Sequence, residues 1–388
     1  MVEVKDLSSK DNSRVKNCCI NSNLHRLAVI KAEEDIRFEI LRSDGSSIAT
    51  NKPRHSAINC SREKFNYSAN QVKHLVSLFF RGGLHFDVNP SYWKSFELLK
   101  RLDFEGFGLK ALSEMVGKLV CLQYLGLRNN FLQELPQSLC SLERLEVLDI
   151  AQNFMVKLSD IIRKMGSLRH LYMSDIICWE PLTIDSLMNL QTLTYISVDS
   201  WIYELSGLEM MSSLRKLGME EFDGASDVSK TFASLVKLEN LECLILRGSR
   251  FRSMPSLDEL GVLNRLTQLK LDGVLPRLTS PNCFPPMIRY LTLANSSLDE
   301  DPMPVLENLS ELGFVKLRNA FTGEQMVVSK LGFAKLRVLC IGELWSLKSL
   351  QVGEGAIPKL ERVEIQNCPR LKVLPQEVMF TKCIARKK

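Results

Sequence analysis

The sequence contains no uninterrupted apolar run of the length a membrane-spanning helix needs, roughly 18 residues, so no span is expected. Its first residues, MVEVKDLSSKDNSRVKN, are charged and lack the apolar stretch of a secretory signal. The eleven cysteines are odd in number and include no C-x-x-C pair. That usage fits a reducing compartment and a cytoplasmic location better than a disulfide framework. In that setting the four Asn-x-Ser sequons, at Asn59, Asn66, Asn295 and Asn308, are coincidental, and Cys121, Cys140, Cys243 and Cys340 serve as small hydrophobes.

Recognisable chemistry is equally scarce. There is no G-x-x-x-x-G-K-[ST] phosphate loop, no H-E-x-x-H zinc pair and no G-x-S-x-G elbow. The nearest glycine-rich string, Gly106-Phe107-Gly108, lacks the following Lys-Ser/Thr. The five histidines, His25, His55, His74, His85 and His170, are too scattered to form a proton-transfer or metal cluster. Fifty Lys and Arg against 45 Asp and Glu leave a charge of +5, too little over this length to draw nucleic acid or lipid. The expectation is a chain that binds rather than catalyses, with no cofactor, no metal and no nucleic-acid partner.

What the chain does have is leucine at a fixed spacing. Leu122, Leu125, Leu127 and Asn130 form an apolar-x-x-apolar-x-apolar figure closed by asparagine, and it returns 23 residues later as Leu145, Leu148, Ile150 and Asn153. The figure begins thirteen times, at Leu75, Leu99, Leu122, Leu145, Leu168, Leu193, Leu214, Leu241, Leu266, Ile288, Leu312, Leu336 and Leu360, in steps of 21 to 27 residues. Recurrence at this period is the leucine-rich-repeat signature, each copy giving one strand and one turn of a stacked array. The predicted fold is an α/β leucine-rich-repeat solenoid, a horseshoe with a concave parallel sheet and short helical or 3-10 segments on the convex side. The predicted organisation is an N-terminal lead over 1–50 with a helix within Cys18–Ile40, a capping segment over 51–74, repeats over 75–380 and a solvated basic tail over 381–388. Two stretches, 219–234 and the proline-rich 272–287, read as insertions between strands.

Strand alternation assigns the faces, because neighbouring side chains point to opposite sides. Leu125 and Leu127 then face the core and Tyr124, Gly126 and Arg128 the concave surface. Behind each strand, leucines three apart, such as Leu139, Leu142 and Leu145 after Pro136, predict a 3-10 turn. Asn130 and Asn153 are placed to bind backbone groups where the chain leaves the sheet. The same register makes Tyr124, Arg128, His170, Tyr172, Tyr195, Lys216, Arg247, Lys270, Tyr290, Lys316 and Arg318 the candidate protein-binding residues, with Trp201 close to the central aromatics. Tyrosine and arginine are frequent anchors of protein interfaces.

Two strings, with two further phrases in support, carry a family resemblance. Leu132-Gln133-Glu134-Leu135-Pro136-Gln137-Ser138-Leu139 resembles the L-x-x-L-P-x-S-[IL] turn of intracellular plant repeats and lacks the G-x-I-P of plant cell-surface receptors. The segment CCINSNLHRLAVIKAEED is similar to the end of the nucleotide-binding module in coiled-coil-class plant disease-resistance proteins, with NLQTLTYISVDSW and LRNAFTGEQMV similar to phrases of their repeat domain. Asn21-Ser22 stands where that family has His-Asp. The resemblance implies the repeat region of a plant immune receptor, without its coiled-coil and nucleotide-binding modules, and hence without nucleotide exchange. Its implied partners are a pathogen effector, a guarded host protein or the receptor's own nucleotide-binding module. The rival reading is a cytosolic repeat scaffold or ubiquitin-ligase adaptor.

Overall fold

The computed structural model describes residues 2–7, 15–20, 22–42, 52–59, 72–81, 90–154, 156–158, 161–176, 184, 186–199, 211–249, 252–278, 280–372 and 382–386. Trp201, the Asn66 sequon, most of the loop after Arg42 and the last two lysines lie outside them. The chain divides into two compact units, Met1–Thr194 and Tyr195–Lys388.

The first unit opens with an antiparallel pair, β1 (Val2–Leu7) and β2 (Val15–Ile20), within the N-terminal lead. Helix α1 (Ser22–Ile36) follows. It is shorter than the stretch expected, because strands border it on both sides and Arg37, at φ 54°, takes the left-handed conformation that stops a helix. Leu27 and Ile30 on this helix are 52% and 43% exposed.

A parallel ladder then runs through β3 (Phe38–Arg42), β4 (His55–Asn59), β5 (Ser77–Arg81), β6 (Arg101–Asp103), β7 (Tyr124–Gly126), β8 (Val147–Asp149), β9 (His170–Tyr172) and the start of β10 (Thr192–Ser197). Leu78, Leu102, Leu125, Leu148 and Leu171 pair in register, and all are fully buried. Removing one such side chain from water stabilises the fold by about 1.5–3 kcal/mol. Aromatic rings thicken the core at one end, where Phe80 stacks on Phe104 at 4.6 Å and Phe107 meets Phe80 edge-on at 5.3 Å.

Two features of this ladder differ from the spacing argument. It starts at Phe38, ahead of the segment 51–74 and of the first counted repeat, because Glu39 and Ser56 occupy the inward register positions of β3 and β4 and break the leucine pattern. Further on, the repeat placed at Leu193 begins at Leu190. The Arg169 carbonyl accepts the Gln191 and Thr192 N–H groups, as the Glu146 carbonyl accepts those of Arg169 and His170. Thr192 and Thr194 consequently stand beside His170 and Tyr172. Leu187, Leu190 and Leu193 are spaced three apart and all buried, so composition alone does not choose among them.

In the second unit the strands after β10 are β11 (Lys216–Phe222), β12 (Cys243–Gly248), β13 (Gln268–Asp272), β14 (Tyr290–Ala294), β15 (Phe314–Arg318), β16 (Gln325–Val328), β17 (Val338–Gly342), β18 (Ser349–Val352), β19 (Arg362–Gln366) and β20 (Lys382–Arg386). All but β16 and β18 form a parallel ladder in chain order, and those two pair with each other. β20, read from composition as a solvated tail, pairs along β19 and so satisfies backbone groups that an edge strand leaves open. The expected insertion at 219–234 is absorbed into a long β11 and a helix, α2 (Val228–Leu235), whose first turn is capped by the Asp227 carboxylate accepting from the Lys230 N–H at 2.9 Å. The proline-rich stretch holds a 3-10 turn, Pro281–Cys283.

The return segments are short. They are 3-10 at Glu114–Lys118, Gln137–Ser141, Ile162–Lys164 and Asp258–Val262, and α-helical in α2 and α3 (Met303–Leu306). Pro136 stands just before its 3-10 turn rather than inside it, and its carbonyl accepts the Leu139 N–H at 3.1 Å.

At the end of many strands the chain turns through one left-handed residue seven past the first apolar position of the repeat. Asn129, Gln152 and Asp175 do so in the first unit, and Glu221, Asn295, Asn319, Glu343 and Asn367 in the second, with φ between 47° and 67°. A β-carbon is strained there. Gln152→Gly is therefore expected to raise stability by about 0.5 kcal/mol, the relief of strain exceeding glycine's added unfolded-state entropy. Thermal unfolding measures it against Gln133→Gly, outside the left-handed set, which is expected to lower stability.

Candidate protein-binding face

Each unit presents the outward side chains of its own ladder. In the first, Asp103 and Asp149 occupy equivalent positions two repeats apart. One carboxylate oxygen of each accepts the N–H two residues on, at Glu105 (2.9 Å) and Ala151 (3.1 Å). Each also meets an arginine of the preceding repeat, Arg81 at 3.2 Å and Arg128 at 3.0 Å. Between them Gly126 leaves space that a β-carbon would take from the Asp103 carboxylate and the Tyr124 hydroxyl, which it would approach to 2.7 and 2.9 Å. Burial, together with Asp103, Asp149 and Glu105, pushes the Tyr124 phenol up to about 12, so it stays protonated and neutral at physiological pH. Burial also raises the Asp149 carboxyl despite Arg128. The His170 and Tyr172 rings lie parallel, 6.5 Å apart. Burial, then Arg169, lowers the His170 pKa and favours the neutral imidazole.

In the second unit the Arg247 guanidinium lies over the Tyr195 ring at 4.2 Å and faces Glu220 at 3.4 Å. Cation–π contact of this kind contributes about 0.5–1 kcal/mol at exposed sites. Lys216 stands beside Cys243 in the ladder. Lys270 pairs with Asp272 at 2.8 Å, and the amides of Asn295 and Asn319 continue the chain, donating to Asp272 (2.9 Å) and to Asn295 (3.1 Å) in turn. Burial alone would raise the Asp272 carboxyl, but Lys270 and Asn295 hold it low. Tyr290 and Phe314 meet at 6.0 Å, and Tyr290 packs on a buried cluster of Phe314, Val338 and Cys340. Lys316 lies between Thr292 and Cys340, and Arg318 pairs with Glu343 at 3.1 Å.

The eleven candidate residues thus fall into two sets. Tyr124, Arg128, His170 and Tyr172 belong to the first unit, and Tyr195, Lys216, Arg247, Lys270, Tyr290, Lys316 and Arg318 to the second. Spacing did not single out the acids that accompany the cations. Arg128, Arg247, Lys270 and Arg318 each face a carboxylate, from Asp149, Glu220, Asp272 and Glu343. Lys270 and Asp272 are two apart on one strand, a same-face spacing that the sequence does carry.

No group of three or more His, Cys, Asp or Glu side chains could hold a metal ion among the described residues, and no helix among them is long and apolar enough to cross a membrane. In each unit the described outward side chains include aromatic and cationic groups, joined in the second by the amides of Asn295 and Asn319.

Residues 77–380 match the family described as "Leucine-rich repeat region". Among curated proteins, the "Probable disease resistance RPP8-like protein 2" of Arabidopsis thaliana is 29% identical over 392 residues, covering 96% of this chain and 42% of the relative. The "Disease resistance protein RPP13" of the same plant is 28% identical over 367 residues, covering 92% and 40%. The chain therefore spans about two fifths of the length of these relatives. Among solved structures, a leucine-rich-repeat protein of Leptospira interrogans superposes with a TM-score of 0.58 over 86% of this chain and 84% of that one, at 18% identity, a likeness of fold alone. With its in-register leucine columns, short return turns and this family match, the chain belongs to the leucine-rich-repeat region family and resembles, over nearly its whole length, the corresponding part of plant disease resistance proteins.

Proposed function

We propose that the chain is the protein-recognition part of a plant intracellular immune receptor, acting in the cytoplasm. In this reading the outer face of its ladders engages a pathogen effector or a guarded host protein, and the region restrains a nucleotide-binding switch module that lies outside this sequence. The observation that carries it is the similarity to disease resistance proteins along 96% of the chain. The character of the face supports it, since repeat solenoids bind through extended surfaces and aromatic and arginine side chains anchor protein contacts. Catalysis has no place in this reading, and no cofactor is assigned.

The test is proximity labelling in leaf tissue with the chain fused to a labelling enzyme. Tyr172→Ala combined with Arg247→Ala is expected to reduce the specifically labelled proteins about tenfold, as loss of two interface anchors commonly does. Glu143→Ala with Arg144→Ala, exposed side chains just after the Gln137–Ser141 turn, is expected to leave labelling unchanged. Equal or greater loss from the second pair would overturn the assignment of the outer face.

A further inference from the structure

On the outer face of the second unit a lysine, Lys316, stands beside an apolar floor. Across β13, β14, β15, β17 and β19 the middle outward residues are, in register, Lys270, Thr292, Lys316, Cys340 and Glu364. Lys270 is neutralised by Asp272 at 2.8 Å and Glu364 by Arg362 at 3.2 Å. On the strand of Lys316 itself, Arg318 is neutralised by Glu343 at 3.1 Å. Among the described residues Lys316 has no carboxylate within ion-pair distance, though it is half-buried and adjoins Cys340 of the apolar cluster. An ammonium so placed has lost part of its hydration without gaining a counter-charge. A carboxylate brought to it is attracted more strongly than on an open surface, because the surroundings are less polarisable than water.

We propose that Lys316 is the charge-reading residue of this face, taking an aspartate or glutamate side chain from a protein segment whose neighbouring aromatic or aliphatic residue lies against Tyr290. The proposal rests on the reading of the outer face as a protein-binding surface and narrows the partner to acidic segments with an adjacent large apolar side chain. The charge complementarity is specific to this point, since the neighbouring cations already hold their acids. Thr292, on one side, is small enough to leave Lys316 open to an approaching chain.

Selection of a phage-displayed library of random short peptides on the full chain tests it, with enriched peptides remade and titrated by fluorescence polarisation. Enriched sequences are expected to place Asp or Glu beside an aromatic or aliphatic residue. Lys316→Glu is expected to weaken their binding about tenfold or more and Lys316→Gln by less. A fresh selection on the Lys316→Glu chain is expected to favour Lys and Arg instead. Circular dichroism checks that both variants keep the fold. Thr292→Trp supplies a steric block beside Lys316 that leaves the charge intact. If that block abolishes binding while the peptides show no acidic preference and Lys316→Glu is silent, the charge-reading role is wrong and the binding face stands. Should peptides bind undiminished by all three substitutions, or none enrich over an unrelated protein, both readings fall.

Discussion

Leu148→Asp is expected to destabilise the first unit by about 4 kcal/mol or more, enough to unfold much of it at room temperature. Leu148 is fully buried between Leu125 and Leu171 in one column of the ladder. The substitution removes a leucine from a packed site, which alone costs about 2–5 kcal/mol. It also puts a carboxylate where the in-register neighbours on both sides are leucines. The adjacent Val147 faces outward and is only partly buried, so Val147→Asp is the matched control and is expected to cost under about 1 kcal/mol. Thermal unfolding of the two variants decides the register. A lower melting temperature for Val147→Asp would mean that the inward and outward sets have been exchanged, and equal ones that the register is wrong.

The second large effect is expected at Asn130. Its side-chain amide is buried and donates to the carbonyls of Phe104 (3.0 Å), Leu127 (2.8 Å) and Arg128 (3.1 Å), while its oxygen accepts the N–H groups of Gly108 (2.8 Å) and Leu109 (2.9 Å). One side chain thereby satisfies backbone groups of two repeats. Asn130→Ala strands them in a site closed to water, at about 1–3 kcal/mol for each group left unpaired, so a total of about 3–5 kcal/mol is expected after local relaxation. Hydrogen exchange reads the effect where it arises, since the Gly108 and Leu109 amides should lose protection before the strands do. Asn130→Asp keeps the acceptor and loses both donors, and is expected to retain protection at Gly108 and Leu109 while still lowering the melting temperature. A loss below about 1 kcal/mol for the alanine variant would remove the asparagine from its structural role.

Much of this architecture is legible in the sequence because two periods reinforce one another. Alternation within a strand gives the inward set Leu125 and Leu127, and the step of 23 residues lays Leu148 and Ile150 beside them. Asn130 and Asn153 were readable as backbone ligands for the same reason. The reading fails where a polar side chain takes an inward place, as Glu39 and Ser56 do in β3 and β4, or where leucines three apart offer several equivalent starts, as at Leu187, Leu190 and Leu193. Hydrogen bonding of the Arg169 carbonyl settles the latter, and no composition rule contains it. On the candidate face, register identifies which residues point outward but not which charges are already matched. Arg247 reaches an acid 27 residues earlier, one whole repeat away, whereas Lys316, of the same charge class, meets none among the described residues. The left-handed turn seven residues past many of the first apolar positions was open to inspection as Asn, Gln, Asp and Glu at a fixed place, yet its meaning emerges only from the backbone angles.

The asparagine bonds also bear on how such a chain changes length over generations. Asn153 donates to Leu127, in the repeat before its own, at 2.8 Å, as Asn130 donates to Phe104. A duplication or loss that removes one full period returns an amide to a carbonyl in the same phase. A frame-preserving change of one or two codons within the strand does not, and it leaves the bonded groups of both neighbours unmatched. Recombination between repeats is thus tolerated in whole units, and the return segments share the constraint where a side chain bonds one repeat away, as the Glu114 carboxylate does in accepting the Ser138 N–H at 3.0 Å.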